Sequence, residues 1–516
     1  MMDAISSYRI PESWETVRLG SLVESEKGKK PKRCASERSS SYSLPYINIR
    51  AFEEGVIESW ADGEGCRMCH ESDLLLVWDG ARSGLVGKGM SGALGSTLAR
   101  INFPLIENQY AFYFLQSKYD QINSRTKGSG TPHVDPDLLW NYEFPVPPFN
   151  EQRRIVARIK ELFSELDKGI ESLRKAREQL KLYRQAVLKH AFEGKLTAQW
   201  REENKDKLES PEQLLEDIKR EQEARYDKQL QTWKALIKDW EDSGRKGKKP
   251  RKPKSFKPVS ELAGEDTGNS ERLPSSWLWL LAESAGIIQL GRQRSPRNRS
   301  KDYPTKYIRA ANITENGLNL DDVLDMDFDP HEFSAYRLEK DDLLLSEGSG
   351  SASQVGKPAI WEDQILNCCF QNTVIRHQPY CCDHSPYLLW LYRFYYISGT
   401  FAQVAGGVGI HHLSAYKFAR LPLPLCPILE QTEIVRQLEE RFTAMQENEK
   451  EIDFAIEKAQ SLRQSILQKA FSGQLVAQDP ADEPASMLLE RIKAETLAQS
   501  SGTERRNKRR RAKAPA

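Results

Sequence analysis

One stretch of 46 residues occurs twice in this chain, and that repeat limits the possible folds more than any other feature. Residues 151–196, EQRRIVARIKELFSELDKGIESLRKAREQLKLYRQAVLKHAFEGKL, align without a gap to 430–475 at a constant offset of 279. About a third of the pairs are identical, including Glu151/Glu430, Gln152/Gln431, Phe163/Phe442, Arg184/Arg463, Phe192/Phe471 and Gly194/Gly473. Ordinary residue frequencies would give about three such identities by chance. The likeness extends upstream with gaps. Ile10-Pro11-Glu12-Ser13-Trp14 answers Leu273-Pro274-Ser275-Ser276-Trp277, and Asp73-Leu74-Leu75-Leu76 answers Asp342-Leu343-Leu344-Leu345. Val86-Gly87-Lys88 is paired with Val355-Gly356-Lys357, and the Gly-rich loop ending in His133 with the one ending in His412. From Trp to the Glu-Gln pair the first copy runs 137 residues and the second 153. Constant ends around a variable middle predict one scaffold carrying two different surfaces.

The repeated segment has a helical period. Ile155, Ile159, Leu162, Leu166, Leu173, Leu180 and Val187 form an apolar seam in the first copy. Leu438, Met445, Ile452, Leu462 and Ile466 form it in the second. A sustained seam with charged flanks predicts coiled-coil packing, and Pro148 and Pro427 before, with Gly194 and Gly473 after, punctuate the two helices. Upstream, Tyr46–Ile49, Leu74–Val77 and Tyr307–Ala310 read as strands between Gly/Ser-rich turns, and 107–116 and 386–397 as helices. The expected class is α+β and internally duplicated: two globular α/β domains separated by a long antiparallel helical pair. The expected segments are a first domain at 1–150, its helix at 151–199, a charged helical connector and basic linker at 200–272, a second domain at 273–429, its helix at 430–475, and a basic tail at 476–516 expected to be disordered. Arg245 to Lys257 holds eight basic residues in thirteen, and the tail ends in RRNKRRRAK at 505–513. Leu488-Leu489-Glu490-Arg491-Ile492-Lys493 echoes Leu214-Leu215-Glu216-Asp217-Ile218-Lys219.

Composition excludes several classes. With 75 Lys plus Arg against 74 Asp plus Glu there is no uniformly basic coat. Apolar residues make up 39%, enough for real cores, and no apolar run reaches the ~20 residues a membrane helix needs. The opening lacks the pattern of a signal peptide, and eight cysteines are too few for a disulfide scaffold, so a cytoplasmic protein is expected. No P-loop occurs, no dinucleotide fingerprint is completed, and no G-x-S-x-G elbow is present. Cys66-x-x-Cys69-His70 has haem-attachment spacing. Cys368, Cys369, Cys381, Cys382 and His384 cluster without zinc-site spacing, and His411-His412 is a vicinal pair. Haem attachment goes with export, for which no signal is read, the other two patterns fit loop or buried-thiol roles better, and no metal is expected.

The paired IPESW/LPSSW openings, the DLLL strands, the Gly-rich loops before FPVPPFNEQ and LPLPLCPILEQ, and the EQRRIVARI…AFEGKL and EQTEIVRQL…AFSGQL helices resemble the specificity subunits of type I restriction-modification enzymes. The resemblance covers nearly all of the chain. It implies two target-recognition domains, each reading one half of an asymmetric bipartite DNA site, with the helices setting the spacer and docking two methyltransferase subunits. It implies restriction subunits as further partners. No cofactor is expected on this chain, whereas S-adenosylmethionine, ATP and Mg belong to the partners. A metal-dependent enzyme with duplicated domains and a protein-only coiled-coil scaffold are the alternatives.

DNA contacts are expected from polar and basic residues in the diverging loops, because Arg matches guanine edges, Asn and Gln match adenine edges, and Lys holds phosphate. In the first domain the candidates are Lys27, Lys29, Lys30, Lys32, Arg33, Arg82, Lys88, Arg125, Lys127 and His133. In the second they are Arg292, Arg294, Arg297, Arg299, Lys301, Lys357, Gln371, Asn372, His411 and His412. The clusters 27–33 and 292–301 occupy corresponding places in the two copies.

Overall fold

The structure is a computed structural model that describes residues 10–128, 130–245, 249–253, 255–262, 273–293, 302–407, 409–495 and 497. The chain divides into two units, the first built from residues up to 175 together with those from 452 onward, the second from 176–451.

Each unit contains the same antiparallel four-stranded sheet. In the first its order is Glu24–Lys27, Leu98–Asn102, Leu74–Val77, Val86–Lys88. In the second it is Gly286–Leu290, Val374–Pro379, Leu343–Ser346, Pro358–Ile360. The repeated DLLL motif lies on an inner strand of this sheet, and both of its faces are buried. Leu74 and Leu76 join the core around Trp14 and Phe144, while Leu75 and Val77 join a separate one around Ile47 and Leu94. Leu343 and Leu345 likewise face one core and Leu344 another. A strand packed on both faces reads as a continuous apolar run. The Asp before it accepts from the backbone N–H three residues upstream, Asp73 from His70 at 2.8 Å and Asp342 from Glu339 at 2.9 Å, which fixes the turn into the strand. A second sheet, of shorter strands, differs between the units. It holds five short strands in the first and three in the second, each with one parallel pair.

The register corrects one sequence pairing. Gly84 donates to the Val77 carbonyl and Gly356 to that of Ser346, and both have positive φ (94° and 83°). Gly84 therefore answers Gly356, and Val86 answers Pro358, since these pair with Leu76 and Leu345. The shared Val-Gly-Lys string is a coincidence three residues out of phase, so Lys88 and Lys357 lie at opposite ends of their sheets.

The helices Phe149–Phe192 and Ile428–Phe471 have 44 residues each, about 66 Å at 1.5 Å per residue. Within the first unit the start of one shares a core with the end of the other: Ile155, Ile159 and Phe163 with Leu467 and Ala470. Within the second unit Val187, Leu188 and Ala191 share a core with Ile434, Leu438 and Met445. The pairing is antiparallel in both. Leu162, Leu166, Leu173, Leu180, Ile452 and Ile466 are half-buried, but Leu462 is 44% exposed and leaves the expected seam. Its neighbour Arg463 takes the inward place, pairing with Asp167 and lying 4.8 Å from the Phe163 ring centre.

The Glu-Gln pair opening each helix is a staple. Glu151 is buried and accepts from the Trp14 indole at 3.0 Å and from Gln478 at 2.7 Å, and burial pushes its carboxyl up. Glu430 accepts from Trp277 at 2.9 Å, Thr197 at 2.7 Å and Arg201 at 2.8 Å. Gln152 ties the Pro147 carbonyl to the Glu107 N–H, and Gln431 ties the Cys426 carbonyl to His384. At the far helix ends Gly194 and Gly473 have φ of 70° and 73°, and a Cβ there would run into Pro274 and Pro11 respectively. The Pro-x-x-Trp openings are thereby seated on the helix ends.

The expected linker and tail are partly structured. Helix Pro211–Asp242 begins with a capping box between Ser210 and Gln213 and sends Leu214 and Ile218 into the second unit's core. Residues 485–495, expected to belong to a disordered tail, are helical, with Ala485, Leu488, Leu489 and Ile492 in the first unit's core. The shared Leu-Leu-x-x-Ile spacing puts three apolar side chains on one helical face in both places. The RRNKRRRAK run at 505–513 lies outside the described residues.

Candidate nucleic-acid interface

In each unit a segment leaves the edge strand of the four-stranded sheet through a glycine. Gly28 donates to Leu98 at 2.8 Å and Gly291 to Val374 at 3.1 Å; the next residues, Lys29 and Arg292, donate to Leu94 and Phe370, each at 3.1 Å. A Cβ on either glycine would collide with backbone carbonyls, of Gly95 in one case and Gln371 in the other. This close crossing fixes where the cationic segments start and makes Lys29 and Arg292 equivalent.

In the first unit Lys29, Lys30, Lys32 and Arg33 follow the crossing, exposed and without an ion pair among the described residues. Lys27 pairs with Asp79 at 2.8 Å and lies 6.0 Å from the Trp78 ring centre. The loop holding Lys127 and His133 joins the same end of the sheet, since Asp79 bridges to His133 and Gly80 donates to the Pro132 carbonyl at 2.8 Å. Lys127 sits between Asp135 and Asp137 at 2.7 and 3.1 Å, which holds its ammonium above the ordinary lysine range and the Asp135 carboxyl below its own. Arg125 is exposed nearby in sequence, and Arg82 pairs with Glu53 at 2.9 Å. Lys88 is separated from this group, at the other end of the sheet, where it is in register with Leu74.

The second unit gathers Arg292, Lys357, Gln371, Asn372, His411 and His412. Asn372 donates to the Arg292 carbonyl at 3.0 Å, Glu347 donates to that of Thr373 at 2.8 Å, and His412 Nδ1 lies 2.8 Å from the Glu347 carboxylate. His411 pairs in register with Ser349, and the Lys357 N–H donates to Ser346 Oγ at 2.9 Å. Arg292 departs from the expected free cation. Its side chain is only 13% exposed, pairs with Glu332 at 2.6 Å, lies 5.1 Å from the Phe328 ring centre and donates to the Asp327 carbonyl. Arg294, Arg297, Arg299 and Lys301 lie outside the described residues.

Sequence reasoning passed over Trp78, Asp79 and Glu347, the residues that tie each loop cluster together. Their signal is position: each follows the buried inner strand and precedes a glycine.

Among the described residues no three His, Cys, Asp or Glu side chains come together as metal ligands. All eight cysteines are free thiols. Burial pushes Cys69 up to about 11 and both Cys368 and Cys369 up to about 12, so they stay protonated. His384 is buried against Gln431. Also among the described residues, no helix is long and apolar enough to cross a membrane.

Known proteins match this architecture. The type I restriction modification DNA specificity domain matches residues 11–174 and again 285–458, more than half of the chain. The EcoDI specificity subunit of Escherichia coli is 24% identical over 96% of this chain and 98% of its own length; the EcoBI subunit, also from Escherichia coli, is 25% identical over 95% and 94%. The MjaVIII specificity subunit of Methanocaldococcus jannaschii is 33% identical over 35% of this chain and 44% of its own length. Among solved structures, a chain described for complex assembly and conformational transition of the type I R-M system shares the fold with a TM-score of 0.60 at 16% identity, covering 90% of this chain and 100% of that one. The HsdS subunit from Thermoanaerobacter tengcongensis follows at 0.50 and 16%, covering 91% and 99%. With both copies of the scaffold matched, the chain belongs to the type I restriction modification DNA specificity family.

Proposed function

We infer that this chain is the DNA-sequence-recognition subunit of a type I restriction-modification complex, each unit reading one half of an asymmetric bipartite site. The observation that carries this is the pair of equivalent loop clusters. The same scaffold presents Lys27, Lys29, Lys30, Lys32, Arg33, Lys127 and His133 in one unit and Lys357, Gln371, Asn372, His411 and His412 in the other. Phosphate contacts by lysines fix register, and base edges are read by Asn, Gln and His. Different side chains on one frame give two different half-sites.

The partners we propose are two methyltransferase subunits docked on the helical pair, and restriction subunits beyond them. Leu182 in the second unit and Phe454 in the first are 66% and 68% exposed on those helices, and apolar side chains so placed support a protein-docking role. The helical pair sets the unread spacer. S-adenosylmethionine, ATP and Mg act in the partners, this chain itself carries no catalysis, and the complex works in the cytoplasm.

The test is a domain exchange. Replacing residues 10–150 with the matching unit of a relative, in a complex with its methyltransferase subunits, should change only one half of the methylated sequence. A simultaneous change in both halves would refute independent readers.

A further inference from the structure

The run 245–257, with eight basic residues in thirteen and no acidic one, has a fixed place over its described part. Helix Pro211–Asp242 carries Tyr226, Trp233 and Trp240 at seven-residue steps, which keeps them on one face. The chain returns along that face. Arg245 and Lys249 lie 5.8 and 5.9 Å from the Trp240 ring centre, and the Trp233 indole donates to the Pro250 carbonyl at 3.1 Å. Phe256 meets Tyr226 at 5.9 Å and Tyr380 at 5.4 Å, both edge to face. Gln222 then donates to the Lys257 carbonyl at 3.1 Å, and Val259 enters the second unit's core.

An aromatic stripe thus holds the returning backbone, while Arg245, Lys249, Arg251 and Lys252 stay exposed and make no ion pair among the described residues. A basic run left to itself repels and disperses. Holding it against a helix raises that repulsion, a cost that a polyanion laid across it would offset. Asp239, Glu241 and Asp242 close the helix, so the cations form a local ridge on an arm of mixed charge.

We propose that this clamped ridge grips the phosphate backbone of duplex DNA outside the bases read by the recognition loops. The proposal rests on the DNA-reading function given above and adds a second, sequence-blind contact to it. Lysine and arginine without base-reading partners supply affinity and salt dependence but no sequence information. The first unit carries a related plan, since its docked helix at 485–495 also precedes a basic run in the sequence.

The experiment uses the full chain in complex with its methyltransferase subunits. Arg245→Gln, Lys249→Gln, Arg251→Gln and Lys252→Gln are introduced together, and binding is measured on a duplex trimmed to the site and on one flanked by several helical turns. On the flanked duplex the slope of log K against log salt should fall by about 0.9 for each phosphate that is no longer neutralised. On the trimmed duplex variant and parent should agree, and the methylated sequence should be unchanged. Equal slopes on flanked DNA would overturn the proposal, as would loss of methyltransferase binding in place of DNA affinity. Arg245→Lys with Arg251→Lys should keep the parental slope if charge is what acts; failure to do so also counts against it. Lack of sequence-specific methylation by the parental complex would instead overturn the underlying function, a separate result.

Discussion

The two units solve the same problem with different chemistry, most visibly where each helix begins. Glu151 is held by neutral donors, the Trp14 indole and the Gln478 amide. Glu430 in the equivalent place is held by an indole, a hydroxyl and the guanidinium of Arg201, which also lies 5.6 Å from the Trp277 ring centre. The recognition ends differ as well. After the shared glycine crossing the first unit exposes a row of free cations, whereas the second folds Arg292 back onto Glu332 and Phe328. Geometry has been kept where backbone atoms touch, and charge has been reassigned around the helix start and after the glycine crossing. Divergence after duplication is therefore confined by packing.

The staple gives the sharpest test of that difference. Glu430→Ala leaves Arg201 half-buried without its carboxylate and should lower the stability of the second unit by about 3–5 kcal/mol. Glu151→Ala strands only neutral donors, and the first unit should lose about 1–3 kcal/mol. Hydrogen exchange of each unit separates the two, and equal losses would remove the distinction.

A smaller effect separates the units by pH. Asp342 is buried beside Arg376, which also donates to the Arg337 carbonyl and to Gln289. Desolvation pushes the carboxyl up to about 6, and at 3.5 Å the guanidinium offsets only part of that. A carboxyl whose folded pKa lies above its unfolded value stabilises the fold while protonated, and that contribution is lost as the pH rises through about 6. This one contribution to the second unit should fall between about pH 4 and 6, by at most roughly 3 kcal/mol at ~1.4 kcal/mol per pKa unit, while the buried His377, which desolvation lowers to about 3, acts in the opposite direction. Asp342→Asn removes it, so the stability difference between parent and variant in thermal melts should change across that range; a constant difference would show that the carboxyl makes no such contribution.

The smallest expected change concerns the two cation clusters. Lys29, Lys30, Lys32 and Arg33 replaced by Ala should reduce the salt slope of DNA binding, by about 0.9 for every phosphate these side chains had neutralised. Arg292→Ala should leave the slope nearly unchanged and cost the second unit about 1–2 kcal/mol of stability, because its charge is already engaged within the unit. A slope change for Arg292 comparable to that of a first-unit lysine would show that its ion pair opens on DNA.

Much of the scaffold could be read directly from the sequence because it repeats. Trp14 and Trp277 both donate to the Glu that opens a helix, the DLLL strands are buried on both faces, and the terminal glycines meet the prolines of the openings in both copies. What escaped has a physical reason in each case. The Val-Gly-Lys string matched by letters, but strand register is set by hydrogen bonds from Gly84 and Gly356, which a local match does not contain. The engagement of Arg292 depends on Glu332, forty residues away in the chain. Leu462 fell off the seam because the inward position there belongs to Arg463, over the Phe163 ring. The helix at 485–495 was hidden by the polar composition around it, although the same Leu-Leu-x-x-Ile spacing occurs at 214–218. At the interface the candidates were chosen by residue type, and type alone could not separate free lysines from paired ones.

The seating of Pro11 on the helix end at Gly473 has a consequence for how the protein is made. The second unit is one continuous stretch, 176–451, and can close as soon as that stretch has left the ribosome. The first cannot. Its core lacks Leu467, Ala470, Leu488 and Ile492 until about 290–320 further residues have been synthesised, a wait of about 15–65 s at ~5–20 residues per second. Through that interval the seam residues Ile155 and Ile159 have no second helix to cover them. The part of the chain made first is the part finished last, so nascent-chain exposure, and any demand for a holding chaperone, falls on the first recognition unit alone.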